Sequence, residues 1–170
     1  MTSLIYDSSV SVCIHNLTNL SALLDKAEAY AAEKKFDVDV LIQSRLSPDM
    51  LPFGQQVFVA CTFAKNLCCR LAGQEPPNYE RGPVTLDSLR ALIKQTVDLL
   101  KAIKPEALDG AESREITFNV GPQEKKTLPG SVYMNKFALP NVYFHITTAY
   151  ALLRHNGVPI GKADFMGALD

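Results

Sequence analysis

The chain has 170 residues, enough for one domain with a core of its own. Hydrophobic residues make up 47% and charged residues 21%, the balance of a folded protein rather than a disordered one. The net charge is −1 and no Lys/Arg cluster stands out, so neither nucleic acid nor a membrane surface is an expected partner.

The opening run, "MTSLIYDSSVSVCIHN", lacks a basic start followed by an apolar core, and no later window is apolar enough to span a bilayer. The expectation is a cytoplasmic protein. The four cysteines, Cys13, Cys61, Cys68 and Cys69, show neither C-x-x-C spacing nor the density of a secreted scaffold; they read as reduced packing residues. A first helix is predicted over about residues 7–35. Its seam is Tyr6, Val10, Cys13, Leu17, Leu20, Leu24, Ala27 and Ala31, at steps of four and three. Asp7 or Ser8 suits its N-cap, and the lysines of "EKK" suit its last turn, where the helix dipole favours cations. His15 falls off the seam and reads as a surface histidine.

A linker follows, and Ser47-Pro48-Asp49 marks the predicted start of a second helix running to about Leu71, with Gly73 as its stop. Pro52 and Gly54 disturb its first turns. "GQEPPNYERGP" is a loop. A third helix is predicted over about residues 86–103, ended by Pro105. "EITFNVGPQEKKTL" alternates Ile116, Phe118 and Val120 with polar neighbours and turns at Gly121-Pro122, the pattern of a short hairpin. A fourth helix runs from Gly130 or Ser131 to Asn156-Gly157, interrupted by Pro140, which is expected to bend it beside Asn141. The fold class is therefore all-α: a single domain over 1–170, a four-helix bundle with a small hairpin between helices three and four.

The last helix carries the most distinctive wording, "LPNVYFHITTAYALLRHNG" over 139–157. It sets Asn141 and His145 one turn apart on one face, with Phe137, Phe144, Thr148 and Leu152 around them. Together with "IYDSSV", "SPDMLP" and the continuation to "GVPIGKADF", this run resembles an uncharacterised branch of the DinB-like superfamily of four-helix bundles, and the resemblance covers essentially the whole chain. Many members of that superfamily bind a divalent metal through three histidines, one from the second helix and a His-x-x-x-His pair on the fourth. Registered on Leu153-Arg154 and Gly157, the resemblance puts the pair at Asn141 and His145 and the second-helix ligand at Gln56. Amide oxygens are weak donors for zinc or nickel, so no metal or other cofactor is expected.

Three functions remain open. The first is a small-molecule pocket between helices two and four, either a plain binding site or an enzyme with His145 as metal-free acid/base. Asp49, one heptad before Gln56, would be its partner, and Gln56 and Asn141 would hold a carbonyl or hydroxyl. Tyr143 lies next to the pair, and Arg154 is placed to bind a carboxylate or to close the helix end. The second is a divalent-metal-dependent hydrolase or transferase, as the resemblance implies for other members. The third is a non-catalytic module that pairs as a homodimer. Against all three stands a plain structural reading, in which Asn141 and His145 are polar residues satisfied inside the core. His155, beside the helix stop, reads as a capping residue.

Overall fold

The apolar seams of the sequence become the contact faces of four long helices, seen in a computed structural model that describes residues 4–121 and 123–168. Helix α1 comprises Leu4–Tyr6, a π turn Asp7–Ser11 and Val12–Lys34, without a break. It starts earlier than the sequence suggests, so Asp7 and Ser8 lie within it and do not cap it. Val10, Cys13, Leu17, Leu20, Leu24, Ala27 and Ala31 are all buried along it. Lys35 closes it in the left-handed conformation, φ 59°.

Helix α2, Asp39–Ile42, is a short turn inside the linker that buries Leu41 and Ile42. Helix α3 spans Phe53–Leu71 and begins only after Pro52. Ser47-Pro48-Asp49 instead forms a loop, in which the Ser47 hydroxyl donates to Asp49 at 2.6 Å and the Arg45 guanidinium donates to the Met50 carbonyl. Helix α4, Leu86–Lys101, has a reciprocal cap: Ser88 N–H donates to Thr85 Oγ1 at 3.2 Å, and Thr85 N–H donates to Ser88 Oγ at 2.9 Å.

Strands β1 (Glu115–Val120) and β2 (Glu124–Pro129) pair antiparallel, with Phe118 opposite Lys126. Ile116 and Phe118 turn inward, and Phe118 packs against Tyr133 and Phe137 at 4.7 and 4.6 Å between ring centres. The hairpin thus closes one flank of the bundle. Gly130 follows at once, where a Cβ would come within 1.9 Å of the Ala111 carbonyl oxygen; only glycine permits that approach.

Helix α5 comprises Gly130–Tyr133, a π turn Met134–Ala138 and Leu139–His155. In the π turn, Leu139 N–H reaches back five residues to the Met134 carbonyl. This widened turn directly precedes Pro140, which has no N–H to give, and the helix runs through the proline instead of stopping. Helix α6, Lys162–Met166, folds back onto α1 through Lys26–Asp164 at 2.6 Å and through His15 Nε2–H donating to the Met166 carbonyl at 2.6 Å. His15 is therefore a half-buried tether for the C-terminal segment, not a free surface residue.

One apolar cluster extends from Ile5 to Ile160, and α3 and α5 form its most extensive helix pair. All four cysteines lie in it as free thiols. Burial pushes the Cys61 thiol up to about 12 and raises Cys68 and Cys69 as well, which keeps them protonated and unreactive. Among the described residues no helix is long and apolar enough to cross a membrane.

Candidate functional site

Gln56 lies in the first turns of α3 and His145 near the middle of α5, where the two helices pack side by side. Both are buried, at 1% and 9% exposure. The Gln56 amide nitrogen donates to the Leu51 carbonyl at 3.0 Å, just before the helix begins. A carbonyl only accepts, so this contact fixes which end of the amide is which: Oε1 must face His145, 2.6 Å from Nδ1. Nδ1 is then the protonated nitrogen and donates to Oε1, while Nε2 carries the lone pair.

The imidazole is held flat by its neighbours. Phe63 stacks on it at 5.9 Å and 14° between planes, and Phe144 meets it edge-on at 5.2 Å. Burial lowers the His145 pKa, so the neutral ring is favoured. Nε2 has no hydrogen-bond partner among the described residues, and no unpartnered side-chain nitrogen there is sealed from solvent, so Nε2 reaches the surface. The arrangement is an oriented, uncharged imidazole with its basic nitrogen outward.

The other residues singled out from the sequence do not join it. Asn141 is half-buried and spends its amide N–H on the Phe137 carbonyl of its own helix at 2.7 Å. Asp49 is exposed, and the Ser47 hydroxyl holds its carboxyl below the usual carboxylate range. Its assignment as partner of His145 assumed that α3 extends back to 49; with the helix starting at Phe53, the partner is Gln56. Tyr143 is 40% exposed, and partial burial raises its phenol pKa. Arg154 is exposed, nine residues beyond His145 and so about 13 Å further along the helix axis. Phe63 was overlooked, although it lies one heptad after Gln56 and therefore on the same face.

Beside the imidazole, Phe144 and Thr148 form one wall of an open, largely apolar recess of about 400 Å³, with Leu46, Pro140 and Tyr143 around it. His145 adjoins this recess but does not line it. Directly between α3 and α5, Gln56 meets His145 and Phe63 stacks on the imidazole.

A three-histidine metal centre of the kind the superfamily carries does not fit these residues. Gln56 uses both ends of its amide, Asn141 offers only an amide oxygen, a weak donor, and one imidazole remains. Among the described residues no group of three or more His, Cys, Asp or Glu is placed to hold a metal ion.

The helix order, the hairpin before the last helix and the polar contact between the second and fourth bundle helices define a DinB-like four-helix bundle. A solved structure of a DinB family member protein from Shewanella denitrificans matches with a TM-score of 0.90 and 40% identity, over 98% of this chain and 93% of that one. The model for a domain of unknown function (DUF1993) matches residues 5–166, and the chain belongs to that family. No curated protein matches it.

Proposed function

We propose that the protein binds a small molecule at His145, with Nε2 accepting a hydrogen bond from a hydroxyl or N–H of the ligand and the apolar recess taking the ligand's body. The observation that carries this reading is the Leu51–Gln56–His145 relay, which fixes the tautomer and turns a neutral, basic nitrogen outward. The same nitrogen is suited to general-base work at neutral pH, because burial keeps it unprotonated.

Phenol, an apolar ring with one donor, is a suitable probe. Titrated into the labelled protein, it is expected to shift the resonances of His145, Phe144 and Thr148 saturably, and His145→Phe is expected to abolish the effect. Absence of any saturable shift at millimolar phenol, or an unchanged response in His145→Phe, would sink the reading.

Self-association is a second reading, favoured by the exposure of large apolar side chains around the same recess: Leu46 at 47%, Tyr143 at 40% and Phe144 at 54%. A homodimer built there is expected to fall apart in Phe144→Lys, with sedimentation as the readout. A wild-type monomer at tens of micromolar would rule it out.

A further inference from the structure

Phe58, Thr62 and Lys65 lie on the side of α3 away from Gln56, at 100° per residue. The loop after α3 folds back over this side. Lys65 Nζ donates to the Pro77 carbonyl at 2.5 Å and lies 4.2 Å from the centre of the Tyr79 ring. Tyr79 is itself fixed by a 2.7 Å hydrogen bond between its hydroxyl and that of Thr96, and by edge packing on Phe58. Between helix, loop and the end of β1 remains a polar cavity of about 370 Å³.

Its charge is out of balance. Lys65, Arg70 and Arg81 line it, against one carboxylate, Glu75. None of these four side chains has an ion-pair partner among the described residues. Arg70 has one hydrogen bond, to the Tyr133 hydroxyl at 2.9 Å, and Arg81 lies over the Phe58 ring. Lys65 is only 4% exposed, and burial together with the nearby Arg70 charge lowers its pKa. Gathering like charges in a partly desolvated cleft is costly unless an anion joins them.

A second, mostly apolar cavity of about 360 Å³ adjoins the first, sharing Phe58 and Arg81 and walled by Val84, Leu89 and Leu92; Glu80 also lines it, so the two cavities together hold three cations against two carboxylates. We propose that these two adjoining cavities act as one groove and bind a small organic oxyanion, a carboxylate or phosphate carried on an apolar body. Lys65, Arg70 and Arg81 hold the head, and the body lies along Phe58 towards Val84 and Leu89. The site is separate from His145 and does not depend on it.

The test is calorimetric titration at fixed low ionic strength with phenyl phosphate, phenylacetate, inorganic phosphate and benzyl alcohol. Phenyl phosphate or phenylacetate is expected to bind saturably, and the tighter of the two identifies the natural head group. Inorganic phosphate should bind at least several-fold more weakly, and benzyl alcohol should not bind in the groove. Lys65→Met and Arg81→Gln should each weaken binding about tenfold or more, the worth of a charged hydrogen bond, while His145→Phe should leave it unchanged. Should Lys65→Met fail to fold, Arg81→Gln decides, since its side chain makes no hydrogen bond to the described residues. No saturable binding of either aryl anion, or equal affinity in Arg81→Gln, would overturn the site. Equal affinity for inorganic phosphate would overturn the apolar half of the groove.

Discussion

Two sides of α3 treat buried polarity in opposite ways. Towards α5, Gln56 and His145 satisfy each other, the amide ends on the Leu51 carbonyl, and burial holds the imidazole uncharged. Towards the loop after α3, Lys65, Arg70 and Arg81 share a cavity with a single carboxylate, Glu75, and have no ion pair among the described residues. The first side is complete in itself and offers one lone pair; the second is short of negative charge. Polar groups that close on one another orient a site, whereas charges left open describe what it awaits.

Substitutions can break or sharpen this contrast. The largest effect is expected for Phe63→Ala, which removes the ring stacked on His145 and packed on Phe137. A loss of about 3 kcal/mol in denaturant melts is expected, with the His145 pKa moving up towards 6.5 as water enters. Gln56→Leu should cost about 2 kcal/mol by leaving Nδ1–H buried without an acceptor. Gln56→Glu sharpens the point, since a carboxylate there would raise the His145 pKa above its ordinary value in an NMR titration. On the opposite side, Lys65→Met removes a desolvated cation with no ion pair among the described residues, but also its bond to the Pro77 carbonyl and its contact with Tyr79; the two effects offset, and its melting curve should shift by less than about 1 kcal/mol.

The smallest effect is a pH dependence. A histidine whose pKa is lowered by folding takes up its proton first in the unfolded chain. Its contribution to stability is therefore full above about 6.5, is lost as pH falls through that value, and levels off below the folded pKa. Melts of the wild type between pH 8 and 5 should show this extra decline, and His145→Phe should lack it.

Much of the fold was legible because helix seams follow from periodicity. Leu17, Leu20 and Leu24 on α1, or Val57, Ala60, Ala64 and Leu67 on α3, are buried as their spacing requires. Phe118 was readable as the inward side of a strand by simple alternation. The misplaced start of α3 shows the limit: Ser47-Pro48-Asp49 has the composition of a helix start, yet Pro52 sets the actual boundary, and Asp49 loses its place beside Gln56. The π turns at Asp7–Ser11 and Met134–Ala138 leave no mark on a pattern of period 3.6. The relay from Leu51 was hidden because a backbone carbonyl has no residue type. The cationic groove was hidden because Lys65 and Arg81 meet only when the loop folds back, in a chain whose net charge is −1.

The central claim is that His145 is a neutral imidazole with its lone pair on Nε2. Nitrogen-15 NMR across pH 4 to 8 tests it most directly. The expected result is a protonated Nδ1, an unprotonated Nε2 and a pKa below 6.5; a proton on Nε2 at neutral pH, or a pKa at or above 6.5, would contradict it.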